Sequence, residues 1–229
     1  MADIDPKLAQ RVEELDGPIV VFGAGGFIGA NLMRALLHVR PDCFAVTHQK
    51  YIPWRLVELP SSNILYGDLT DPVSLAAVFD RAGFRTIFDF AAFGAYSRQD
   101  DVDLIYRTNT LGLVNLLEVA SSHGFSGFVH AGSSSEYGTN SAAPTEREEL
   151  LPNSHYAVTK VSAAYLLSYY GKIKKLPVIN LRFYSVYGPF EEQDRLIPKM
   201  IENGIKGTYP PLVDPDISRD FVFVDDAVE

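Results

Sequence analysis

A chain of 229 residues with 47% hydrophobic and 21% charged residues has an ordinary globular composition, long enough for one large domain or for one domain and part of another. Its formal net charge of -9 argues against nucleic acid or an anionic membrane as a main partner, while leaving room for an anionic small molecule at a local basic or amide-rich site. The single cysteine, Cys43, excludes an internal disulfide and a thiolate zinc cluster, and fits a reducing cytoplasm.

The N-terminal stretch has no apolar core of signal-peptide length, and no later stretch approaches a membrane-spanning run. Asp5 and Pro6 instead predict a helix cap and first turn, with Leu8, Val12 and Leu15 on one face; a disordered leader is the alternative. Short β-branched or aromatic runs at 18–22, 43–47, 63–66, 86–90, 127–131 and 178–183 predict buried strands. Helical patterns at 29–39, 72–82, 104–121 and 154–170 separate most of them. This alternation predicts an α/β protein, a doubly wound parallel sheet with helices on both faces, because parallel strands need crossover connections. We divide the chain into a larger region, 17–183, and a smaller second region, 184–229. The second reads as loops rich in proline and glycine (GPFEEQDRLIPKM, GTYPPLVDPDISRD), followed by a strand at 221–224 and a helix capped by Asp225 or Asp226. One turn of helix has no stability of its own, so the expectation is a chain truncated relative to a longer protein.

The first strand runs into GAGGFIG. Gly23, Gly26 and Gly29, with Phe27 and Ile28 between them, predict a strand-to-helix turn whose bare backbone and helix amides approach a pyrophosphate. The second strand ends in THQKY rather than in the acidic residue that usually takes an adenosine ribose. His48, Lys50 or Arg55 would meet a 2′-phosphate and allow NADP; plain exposed loop residues are the other reading. In GDLTD, Asp68 and Leu69 are candidates for the adenine end, and Asp71 before Pro72 is equally a helix cap.

Tyr156 and Lys160, in YAVTK, lie one helical turn apart on one face. An ammonium there favours the phenolate, making the tyrosine a general base toward a substrate hydroxyl. The stretch FVHAGSSSEYG would present Ser133, Ser134 and Ser135 at the carboxyl edge of the sheet, where a hydroxyl can hold a reacting oxygen. The five histidines show no metal-ligand spacing, His130 reads as a packed core residue, and no metal site is expected.

In GAGGFIG, GDLTD, FDFAAFGAYS, NTLGLVNLLE, SSSEYG, YAVTK, LRFYSVYGP and RDFVFVDDAV, in that order over 19–228, the chain resembles the extended short-chain dehydrogenase/reductase superfamily, in its branch of NAD-dependent nucleotide-sugar epimerases and dehydratases. The resemblance implies a seven-stranded Rossmann-like cofactor domain and a Ser/Thr, Tyr, Lys catalytic set. Tyr156 would be the acid/base and Lys160 the ligand of the nicotinamide ribose. The catalytic hydroxyl would be Ser133, or Ser134 if the loop is one residue short. Cofactor contacts would include Ala91, Ala92 and Asn109, the last supporting the active site. Arg219 would meet the substrate diphosphate, and Ser185 stands where the family generally has asparagine. Because Ser134 and Ser135 occupy the places of the Asp-Glu pair of 4,6-dehydratases, the expectation leans to epimerase or reductase. A homodimer paired through the helix of Tyr165, Tyr169 and Tyr170 is also implied. Two alternatives stay open, an NADPH-dependent reductase of a non-sugar ketone and a catalytically silent dinucleotide-binding module.

Overall fold

The computed structural model of the chain describes residues 5–140, 142–210, 212 and 218–229. It opens with α1 (Pro6–Glu14), capped as expected by Asp5, whose carboxylate accepts from the Lys7 amide at 2.7 Å. Six strands, β1 (Ile19–Phe22), β2 (Cys43–Thr47), β3 (Ile64–Tyr66), β4 (Thr86–Asp89), β5 (Gly127–Ser133) and β6 (Val178–Phe183), form one all-parallel sheet in the order β3-β2-β1-β4-β5-β6. The expected α/β class is therefore observed, with the strand order of the doubly wound dinucleotide-binding fold.

Crossovers are supplied by α2 (Phe27–Val39), α3 (Pro72–Phe79), a continuous rod made of α4 (Val102–Tyr106), a π-helical turn (Arg107–Leu111) and α5 (Gly112–His123), and then α6 (His155–Lys172). A sheet covered on both faces needs strands that are apolar on both faces. In β1, Val20 and Phe22 pack with Leu113, Leu116 and Leu117 of α5 in one core, while Ile19 and Val21 pack with Met33 and Leu36 of α2 in the other. The α5 spacing of 113, 116, 117 and 120 is one helix face, and each of those leucines, removed fully from water, contributes roughly 1.5–3 kcal/mol.

The second half departs from expectation. Where the resemblance implies seven strands, the described residues give six in the main sheet. The chain leaves it after β6, and a short β7 (Ser185–Tyr187) pairs in parallel with β8 (Phe221–Phe223) as a separate two-stranded sheet. The stretch read as loop after 184 contains a helix, α7 (Leu196–Ile205), which tolerates Pro198 because its ring falls in the first turn, where no intrahelical donor is lost. The rest of that expected loop lies partly outside the described residues, at 211 and 213–217. The final helix, α8 (Val224–Val228), starts one residue before the expected caps. Asp225 and Asp226 sit inside its first turn, where carboxylates suit the helix dipole, and the fully buried Val224 anchors it.

Candidate active site

At the end of β1 the backbone turns through Gly23 with φ of +70°, a conformation that favours glycine. A Cβ there would stand 2.4 Å from the Ala91 nitrogen, and one on Gly29 would stand 2.6 Å from the Gly23 carbonyl oxygen. The turn closes with the Gly26 amide donating to Gly23 at 2.9 Å, and among the described residues no side chain caps the first amides of α2. A bare turn ending in a positive helix terminus fits a dinucleotide diphosphate. Gly25 serves packing instead, since a Cβ there would meet the Pro53 ring at 2.9 Å.

Around the end of β2, His48 and Lys50 are exposed, whereas Arg55 is turned inward. Its guanidinium donates to the Phe190 carbonyl (2.8 Å), the Gly25 carbonyl (3.4 Å) and Glu192 (3.0 Å). Arg55 thus ties the segment after β7 to the glycine turn, an engagement that leaves it facing protein groups rather than a 2′-phosphate.

β5 runs two residues beyond its expected end because Gly132 and Ser133 pair with Arg182 and Phe183 of β6. Ser133 then caps a single 3-10 turn. Its hydroxyl accepts from the Ser135 amide at 3.1 Å, and its own amide donates to Glu136 at 2.9 Å, a reciprocal capping box. Glu136 is completely buried; its carboxylate also receives Arg182 Nε at 2.5 Å and Asn180 Nδ2 at 3.3 Å. A charged, hydrogen-bonded plug therefore fixes the backbone of Ser133 from below.

Ser154 caps α6 through the Ala157 amide at 3.1 Å, setting the register that turns Tyr156 and Lys160 toward β5. Lys160 is 2% exposed, donates from Nζ to the Ala131 carbonyl at 2.8 Å, and lies 5.8 Å from the centre of the Tyr156 ring. Thr159, fully buried, donates to the Tyr156 carbonyl at 2.7 Å and accepts from Asn109 Nδ2 at 3.0 Å. Asn109 itself comes from the π-helical turn and brackets Phe93, donating to its carbonyl and accepting from its amide, both at 2.8 Å. π-helical turns recur at functional sites, and this one locks the loop after β4 to the helix of Tyr156.

His130 is packed in the core, as the sequence suggests, yet it is also paired. Its Nδ1 lies 2.8 Å from Asp89, both side chains are almost fully buried, and the other Asp89 oxygen accepts from the Ala91 amide at 3.1 Å. Burial, together with the nearby Lys160 charge, holds His130 below its ordinary range.

One crevice of about 400 Å³ at the carboxyl edge gathers Gly23, Gly26, Phe27, Ile28, Gly29, Ala92, Ser133, Ser134, Tyr156, Lys160, Ser185 and Arg219. Asp68, Leu69, Ala91 and Asn109 do not line it. Asp68 accepts from the Thr70 amide and hydroxyl, both at 2.8 Å, and Leu69 packs in the α5 core. The amide of Ala91 is held by Asp89 and the side chain of Asn109 is engaged as above, so both brace the site from behind. Three further lining residues, Tyr96, Glu191 and Arg195, were not singled out in sequence. Tyr96 lies within the FDFAAFGAYS stretch, and the other two belong to the segment whose prolines and glycines predict loop.

This arrangement, with a glycine turn and a Tyr-Lys helix meeting at the edge of a sheet ordered 3-2-1-4-5-6, puts the chain among the Rossmann-like dinucleotide-binding proteins. More narrowly, the chain belongs to the NAD dependent epimerase/dehydratase family, whose model matches residues 19–229. It is 31% identical over 228 residues to UDP-glucuronate 4-epimerase 1 of Arabidopsis thaliana, an alignment covering 92% of this chain and 53% of that protein. The chain thus spans about half the length of that curated relative. Among solved structures it superposes on the epimerase Mth375 of Methanothermobacter thermautotrophicus with a TM-score of 0.83 at 26% identity, covering 97% of this chain and 69% of the other. The UDP-glucuronic acid 4-epimerase of Bacillus cereus, crystallised with UDP-glucuronic acid and NAD, gives 0.77 at 27% identity, covering 92% and 70%.

Proposed function

We propose that the protein is an NAD-dependent nucleotide-sugar epimerase that acts at a sugar hydroxyl, at C4 of a nucleoside-diphosphate hexose. The observation that carries this reading is the single crevice shared by the glycine turn, Ser133, Tyr156 and Lys160. Gly23, Gly26 and Gly29, with the amides of Phe27 and Ile28, hold the cofactor diphosphate. When bound, NAD supplies an acceptor and donor of hydride at the sugar carbon. Tyr156 takes the proton of the substrate hydroxyl and returns it, Ser133 holds the substrate oxygen by hydrogen bond with Ser134 beside it, and Lys160, anchored on Ala131, contributes a fixed positive charge next to the phenol. Ser185 and Arg219, in the 184–229 region, face the nucleotide sugar, Arg219 at its diphosphate.

Glu136 supports epimerisation over 4,6-dehydration. In dehydratases the acid that expels water follows the catalytic hydroxyl directly, and here the one carboxylate of SSSEYG is fully buried beneath Ser133, bonded to Arg182, and outside the crevice lining. The inward turn of Arg55 supports NAD over NADP. We place the protein in a reducing cytoplasm, consistent with Cys43 being free and buried. Among the described residues no helix is long and apolar enough to cross a membrane. We also propose a homodimer through α6, on which Tyr165 is 68% and Tyr169 45% exposed, while Tyr170 turns inward to donate to Glu118.

A thermal-shift series with NAD, NADP and the UDP, dTDP, GDP and CDP sugars tests the reading. A ligand at about 100 times its Kd adds about 2.7 kcal/mol to a folded state that alone binds it, which is about 5–10 °C for a chain of this size. NAD should raise the melting temperature more than NADP at equal concentration, with a further rise from at least one nucleotide sugar. No rise with either dinucleotide would overturn the reading.

A further inference from the structure

The segment between β7 and α7 carries an acidic side chain into the crevice wall. Glu191 lines the cavity beside Tyr96, Ser185 and Arg195, its side chain is 6% exposed, and its Oε2 is closed to solvent with no hydrogen-bond partner among the described residues. Its other oxygen lies 3.7 Å from Arg195 Nε, beyond hydrogen-bond length. Burial pushes the Glu191 carboxyl upward, outweighing the opposing pull of Arg195 and of the Gly188 backbone. A buried acceptor left unpaired costs free energy, and the terminal torsion of a glutamate is soft enough to turn either oxygen to the cavity.

We infer that Glu191 is a specificity-determining residue of the nucleotide-sugar site, accepting a hydroxyl of a neutral hexose and disfavouring a hexuronate. The inference rests on the nucleotide-sugar reading above. A diphosphate is repelled by a carboxylate, so among the groups such ligands carry, the ones that suit Glu191 are hydroxyl donors. Arg195 stands next to Glu191 and over the Tyr96 ring at 5.2 Å, so part of its charge is already offset before an acidic sugar arrives. A hexuronate carboxylate entering this wall would bring two carboxylates into one site, which is selection by an unfavourable pairing against the wrong ligand. The hydroxyl could belong to the sugar or to the cofactor ribose, and affinities measured separately distinguish the two.

The test is calorimetric titration of NAD into the protein, and of the glucose and glucuronate forms of UDP and dTDP into the NAD-saturated protein, repeated with Glu191→Gln. For whichever base binds, the glucose form should bind about tenfold or more tightly than the glucuronate form, and Glu191→Gln should cut that ratio to about threefold or less while leaving NAD affinity unchanged. Equal affinities in the native protein, a preference for glucuronate, a ratio unmoved by the substitution, or a loss confined to NAD each overturns the inference and leaves the nucleotide-sugar reading standing. NAD binding without binding of these four sugars or of the GDP and CDP sugars of the thermal-shift series overturns both.

Discussion

At the level of single residues, the site depends on positions whose neighbours leave no slack. Gly23 combines a positive φ with the Ala91 backbone 2.4 Å from where a Cβ would sit. Gly23→Ala should therefore cost about 2 kcal/mol in strain, lower the melting temperature by about 4–8 °C, and abolish the shift produced by NAD; differential scanning calorimetry with and without NAD reads both effects. Such a glycine is visible in a sequence because its reason is local, and so is the Tyr156–Lys160 pair, one helical turn apart. Glu136 is the opposite case. Its partner Arg182 stands 46 positions away, and only the register of β5 against β6 brings them together, so the sequence shows Glu136 merely as a departure from the family pattern. Removing one partner of a buried pair costs about 3–5 kcal/mol. Arg182 keeps 19% of its side chain exposed, so about 2 kcal/mol is the discounted loss expected for Glu136→Gln, measured as a lower urea midpoint at unchanged slope.

At the level of elements, the sheet was readable because each strand is a compact β-branched or aromatic run bounded by a helical pattern, and the six expected strands match the six observed to within one or two residues in most cases. β7 and α7 were hidden for a physical reason. Ser185–Tyr187 is too short to show a period, and its partner β8 lies 34 residues on, past the masking effect of prolines and glycines that read as loop. The π-helical turn carrying Asn109 is equally silent in sequence, since one widened turn leaves the apolar spacing of α5 intact. Its importance is in what it braces. Asn109→Ala would leave the Phe93 amide and carbonyl and the Thr159 hydroxyl without their partner, each unmade bond costing about 1–3 kcal/mol. We expect a loss of about 3 kcal/mol on that basis, together with faster hydrogen exchange at the Phe93 amide, which reports loosening of the loop after β4.

For the molecule as a whole, the buried Asp89–His130 pair links stability to pH. His130 is held below its ordinary range in the folded state, mainly by burial. The unfolded chain therefore binds a proton at that position near pH 6.5 that the folded chain refuses, and stability present above about pH 6.5 is lost as pH falls toward the folded value. His130→Gln should flatten the decline of melting temperature between about pH 7 and pH 5 relative to the native protein. The same edge of the sheet carries the chemistry proposed here, the transfer of a hydroxyl proton to Tyr156 beside Lys160 and Ser133. That claim is tested most directly by following conversion of a bound nucleotide hexose to its C4 epimer by NMR, in the native protein and in Tyr156→Phe, with NAD affinity measured on both. We expect a fall in rate of about 100-fold or more at unchanged NAD affinity; a Tyr156→Phe protein that epimerises at the native rate would overturn the role given to this tyrosine.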